Sequence, residues 1–266
     1  MKIDSHQHFW KFNPLNHDWI DDTMSVIKSD FLPKDLELIL KKNSIDGSIL
    51  VQVDQTEKEN DHLLHLAEQN NFIKAVVGWV DLRHKNVEER LAYYSKNIYF
   101  KGIRHIVQSE EQDFLLREDF QNGIGKLMKF NLTYDILIFP NQLESAIQLV
   151  KKFPNQKFII ICADIEDQIM DLEPDEREVY MKNIGLGKTG LDQLIKTGYE
   201  LLGLNTFFTS GPEESKAWTI KKNTYAQKAA GIIHTDFEKN FIRAETVSFD
   251  DFEKYGSFEK AKENGK

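Results

Sequence analysis

Two histidines lie two residues apart near the start of the chain, in IDSHQHF: His6 and His8. On a strand, alternate residues share a face, so both imidazoles point the same way. So placed, they can bind a divalent metal or polarise a carbonyl. They can equally be two polar residues at a strand end, and H-x-H alone does not choose. Arg104 and His105 lie in the apolar run Gly102–Val107. Arg104 brings a fork of donors suited to a carbonyl or carboxylate. His105 can donate to an oxygen on which negative charge develops. Trp79 offers an apolar wall or plain core packing. Asp81 in VDLRHKN is a substrate contact or a helix N-cap. Gln52 and Asp135 complete the polar residues at or near the ends of apolar runs.

Those runs are the strands that must position them. Lys2–Asp4, Ser48–Val53, Ala75–Val80, Gly102–Val107, Thr133–Ile138 and Lys157–Ile161 read as strands. Helix-period segments separate most of them: Lys34–Lys42, Glu57–Asn70, Val87–Asn97, Leu116–Lys129 and Asn141–Phe153, the last with Asn141 as its N-cap. Strand–helix repetition at this spacing indicates parallel strands with crossover helices. A (β/α) barrel and a doubly wound sheet both fit, and on a barrel the C-terminal strand ends form the mouth of the site.

After Cys162 the texture changes to α+β. Asp164–Asn183 is charged, and Pro174 can start a second helical piece within it. Thr189–Leu202 is an amphipathic helix capped by Thr189, with Leu191, Leu194, Ile195 and Leu202 on one face. NTFFTS and KAWTI read as strands around a GPEES turn. A short alanine-rich helix surrounds Gln227–Ala230, and Phe241–Val247 reads as a further strand. No Gly/Ser/Pro linker marks the change.

Composition narrows the function classes. The 266 residues carry a net charge of −9, which disfavours a generally nucleic-acid-binding surface. The single cysteine permits no internal disulfide and no cysteine-rich zinc site, and fits a reducing cytosol. No apolar run approaches the length of a membrane span.

IDSHQHFW, HDWIDD, DFLPKDL, GSILVQVDQTEKEN, VVGWVDLR, FKGIRHIVQ, DFLLREDFQ, LTYDILIFPNQL and KFPNQKFII occur in order from Met1 to about Ile161. Together they resemble the amidohydrolase-related family, in its L-fuconolactonase-like and dicarboxylate-lactonase-like branch. The resemblance implies a (β/α)₈ barrel that hydrolyses lactones or related esters and amides. It implies His6 and His8 as a first-strand pair able to hold one zinc-like metal. Gln52, Trp79, Asp81 and Asp135 are then substrate contacts, and Arg104 and His105 catalytic groups. The family's sixth strand ends in an aspartate–histidine pair, where this chain has Cys162 and Ala163. The Gly-Ser-Asp-Trp-like motif of the eighth strand, whose aspartate activates water, has no counterpart here. A water nucleophile without its base forfeits a factor of roughly 10²–10⁴. The barrel is therefore incomplete over strands 1–6, and a second copy could cover its open edges.

From Cys162 onward, ICADIEDQIMDLEPDEREVYMKNIGL, TGLDQLIKTGYELLGLNTFFTSGPEESKAWTIKKNT and AQKAAGIIHTDFEKNFIRAETVSFDDF resemble YchF-type (Obg-like) P-loop ATPases. The resemblance implies the end of a nucleotide domain over residues 162–204, then a truncated β-grasp (TGS-like) domain over 205–266 that contacts a ribosome or RNA. GLGKTG is not a Walker A loop: the glycine needed before the four-residue spacer falls at Lys182, so no nucleotide is expected. The whole chain reads as two truncated families joined near Ile161: an impaired lactonase, a ribosome-binding module, or a fusion without a dedicated function.

Overall fold

Five short apolar runs in the first part of the chain form one parallel sheet. A computed structural model describes residues 2–15, 17–154, 161–184, 187, 189–211 and 214–266. The chain divides into two units, Met1–Gln156 and Lys157–Lys266. In the first, the order is β1 (Ile3–Gln7), α1 (Pro33–Lys42), β2 (Gly47–Val51), α2 (Glu57–Gln69), β3 (Ile73–Gly78), α3 (Val87–Tyr94), β4 (Phe100–Ile106), α4 (Glu118–Leu127), β5 (Thr133–Leu137) and α5 (Leu143–Lys152). Each strand pairs in parallel with the next, in the order β1-β2-β3-β4-β5. Parallel strands with crossover helices, curled in this way, make an incomplete (β/α) barrel.

Burial explains why the central strands are largely apolar. Leu50, Val76 and Ile103 are fully covered, packed with Leu63, Leu91, Phe100, Phe120 and Leu127 in one continuous core. Pro33 opens α1 and Thr56 caps α2 by accepting the Glu59 N–H. The expected cap at Asn141 is a correction. A 3₁₀ turn, Pro140–Gln142, precedes α5, and buried Gln142 stands at the N-cap. Its amide donates to the Val107 and Glu110 carbonyls, ties that a cap at Asn141 would break.

The sixth strand expected over Lys157–Ile161 falls, for 157–160, outside the described residues. Ile161 itself is irregular and about half exposed. The second unit continues with α6 (Ala163–Met170), α7 (Pro174–Asn183), α8 (Gly190–Leu201), β6 (Leu204–Ser210), β7 (Ser215–Lys221), α9 (Ala226–Ile233), α10 (Thr235–Lys239), α11 (Phe249–Tyr255) and α12 (Phe258–Glu263). Pro174 starts α7, and Thr189 caps α8 through the Asp192 N–H. Strands β6 and β7 form an antiparallel hairpin in which Phe207 faces Trp218. The strand expected at Phe241–Val247 is absent: the segment is irregular and Ile242 is almost wholly exposed. Among the described residues β6 and β7 pair only with each other, so no ladder holds a third strand there. No described helix is long and apolar enough to cross a membrane.

Candidate functional site

Strand alternation separates the two residues that the sequence places side by side. Arg104 and His105 sit on opposite faces of β4. Arg104 is opposite Asp135 of β5 in register, so these two share a face. Its guanidinium reaches His6, with Nη1 3.4 Å from His6 Nε2. It also donates through Nη2 to the Gln52 carbonyl and, at 2.9 Å, to Gln52 Oε1. Gln52 returns the contact, donating from Nε2 to the Arg104 carbonyl. Gln52 is fully buried and Arg104 is 5% exposed. The Arg104 Nε–H is buried and has no hydrogen-bond partner. Burial pushes the Asp135 carboxyl above its usual range, and the nearby Arg104 charge only partly offsets this. The face therefore presents an unpaired cationic donor beside a buried carboxyl.

His6 and His8 do share a side, as the spacing implied. Their Nε2 atoms are 3.1 Å apart and the rings meet edge to face. His8 Nδ1 lies 2.8 Å from the Val51 carbonyl, so that nitrogen carries the proton and Nε2 the lone pair. Burial pushes His8 down to about 4. A catalytic zinc takes three protein ligands. Among the described residues no group of three His, Cys, Asp or Glu could hold an ion. A dication shared by the two imidazoles would also face Arg104. For charges of two and one about 4 Å apart, repulsion is about 8 kcal/mol at an effective dielectric near 20. Among the described residues the donor set does not fit a catalytic zinc.

His105 faces the helix layer. It stacks on Phe114 with centroids 4.8 Å apart and meets Phe120 edge-on. The Trp79 indole N–H donates to its Nδ1 at 3.2 Å, so the Nε2–H is left to donate to Glu110 at 2.8 Å. Both ring nitrogens are engaged, and burial holds the imidazole below its usual pKa against the opposing pull of Glu110. Trp79 thus points at His105. Asp81 pairs with Arg83: burial raises its carboxyl, but the Arg83 hydrogen bonds outweigh that and hold it below the usual range. The structure brings together His6, His8, Gln52, Arg104 and Asp135. It places Trp79 and His105 in a second cluster, and Asp81 in an ion pair.

Three organising residues escaped the sequence reading. Asn60, fully buried on α2, accepts the Trp79 N–H and donates to the Trp79 carbonyl, standing in for a neighbouring strand. Glu59 accepts the Val53 and Asp54 N–H groups, which closes the loop after Gln52. Gln55 accepts the Ile106 N–H, tying that loop to β4. The T-x-x-E spacing of Thr56 and Glu59 was the available signal.

Residues 3–161 match the family model described as amidohydrolase. The chain belongs to the amidohydrolase family. Residues 204–266 match a second model, YchF-GTPase_C, described as a protein of unknown function. The L-fucono-1,5-lactonase of Burkholderia multivorans is 37% identical over 145 residues, covering 54% of this chain and 49% of the lactonase. The ribosome-binding ATPase YchF of Bacillus subtilis is 37% identical over 221 residues, covering 82% of this chain and 58% of the ATPase. The chain thus spans about half the length of these relatives. A Burkholderia multivorans amidohydrolase crystal structure with bound zinc superposes with a TM-score of 0.55 at 34% identity, covering 57% of this chain and 54% of that one. The first part of the chain is therefore amidohydrolase-type and the last part YchF-type.

Proposed function

We propose that the first unit binds a sugar lactone of the L-fucono-1,5-lactone class on the Arg104 face and hydrolyses it slowly. The observation that carries this is the buried, unpaired Arg104 Nε–H beside Asp135. A lactone carbonyl oxygen placed on that donor gains a charge-assisted hydrogen bond that strengthens as the tetrahedral alkoxide forms. Gln52 fixes the guanidinium so that little reorganisation is needed. Asp135 receives a ring hydroxyl, or a proton from attacking water, because its raised pKa brings it nearer the working pH. His6 supplies a further polar contact. Trp79 and His105 act from behind, His105 as a positioning residue that holds the indole. The lactonase relative supports the substrate class. Without the aspartate–histidine pair of strand six, turnover is slow.

Release of acid from L-fucono-1,5-lactone in a pH-stat tests the reading. Arg104→Ala should lower kcat/KM at least 100-fold, the range seen when an oxyanion donor is lost. Hydrolysis unchanged in both Arg104→Ala and Asp135→Asn rejects it.

A second reading applies to the last part of the chain, where the relative is a ribosome-binding ATPase. Lys216 lies 4.2 Å over the Trp218 ring on the β6–β7 hairpin, and Lys221 and Lys222 follow. As a TGS-like module this surface would contact ribosomal RNA weakly. Co-sedimentation with ribosomes at low salt, lost in Lys216→Glu/Lys221→Glu, is the expected outcome. No co-sedimentation at any salt concentration rejects it.

A further inference from the structure

We infer that Arg104 stands in for a divalent metal in this chain, so that His6 and His8 face a fixed guanidinium and do not hold an ion. The inference rests on reading this cluster as the functional site, not on turnover. Its test therefore measures metal, not product.

The His8 Nδ1–H is committed to the Val51 carbonyl, which leaves the His8 Nε2 lone pair toward His6. At 3.1 Å that lone pair needs a proton or a cation between the rings. A proton on His6 Nε2 satisfies it with no metal. Arg104 Nη1 then lies 3.4 Å from the same His6 nitrogen. Gln52 holds the guanidinium by two acceptors, and it is 5% exposed, so it cannot swing aside into water. Asp135, the carboxylate on the same face, is already the counter-charge to Arg104. No third ligand joins the two imidazoles among the described residues. The stretch NQKFII at 155–160 contains no His, Cys, Asp or Glu to add one. The positive charge that a metal would bring to a substrate oxygen is thus carried by an arginine side chain, permanently charged and held by Gln52.

The competition is directly testable. The full-length chain, stripped with chelator, is titrated with cobalt(II) and with zinc, and metal retained after desalting is measured by mass spectrometry. The wild type should retain no stoichiometric zinc. Arg104→Leu should bind cobalt(II) at least tenfold more tightly, with visible d–d absorption, because it removes the repelling charge. His6→Ala in that background should abolish the gain. Arg104→Met keeps the stem volume and serves if the leucine variant does not fold, as judged by circular dichroism. One tightly held zinc per wild-type chain, lost in His6→Ala, overturns the inference. So does a folded Arg104 variant with no gain in affinity. Loss of lactone turnover without either result leaves the metal measurement intact, so the two readings fail separately.

Discussion

Glu59 places a carboxylate where burial disfavours its charge. Its two oxygens accept the Val53 and Asp54 N–H groups, yet desolvation outweighs those bonds and pushes it up to about 7. A raised carboxyl binds more protons folded than unfolded between about pH 4.5 and 7, so stability falls as pH rises through that window. Relative to Glu59→Gln, which cannot titrate, the wild type should lose up to about 3 kcal/mol between pH 4.5 and 8. Urea unfolding at the two pH values measures this, and equal differences at both reject it. His8 works in the opposite sense. Its pKa, pushed down to about 4, gives a contribution present above the unfolded value and lost as pH falls toward 4. Residue types and spacing made His6, His8, Arg104 and Asp135 legible as chemistry. The orientation of His105 was not legible, because the Arg104–His105 adjacency says only that the two point apart. Which of them faces the mouth depends on the register of β4.

At the scale of elements, the crossing of α2 over the end of β3 decides how the site is framed. Asn60 pairs with both backbone groups of Trp79, peeling the chain off the sheet just after Gly78. Gln52 and Gln55 then reach β4 past the end of β3. A Cβ on Gly78 would collide with Asn60 Oδ1 and come within 2.6 Å of the Phe100 ring. Gly78→Ala should therefore cost about 1–3 kcal/mol in urea unfolding, as overpacking does. A milder loss, within 0.5 kcal/mol, would show that α2 shifts freely. The strands and most helices of the first unit were readable from periodicity, since alternating apolar runs and amphipathic segments are what a parallel barrel buries. The strand expected at Phe241–Val247 was not real because β-propensity without a partner edge makes no ladder.

At the scale of the molecule, the two families are joined in one chain. Thr189, within the GLGKTG stretch, is spent capping α8 through the Asp192 N–H. No saturable Mg·ATP binding is expected by calorimetry at millimolar nucleotide, and a micromolar dissociation constant would contradict the reading. Leu191 and Ile195 of α8 and Leu202 at its C-cap, which periodicity placed on one apolar face, are more than half exposed. Periodicity reports that a face is apolar, and what covers it is set by the rest of the fold.

The order of residues by itself determined the class of each half. Apolar runs separated by amphipathic segments can bury themselves only as parallel strands under helices, and the ordered motifs carry the two family resemblances. It also determined that His6 and His8 share a side, since a two-residue step returns to the same face of a strand. Only the tertiary structure decided what those histidines face. Arg104 comes from β4, far along the chain, and is brought against His6 by the curl of the sheet and locked there by Gln52. That meeting places a fixed charge beside two imidazoles, and local spacing holds no record of it.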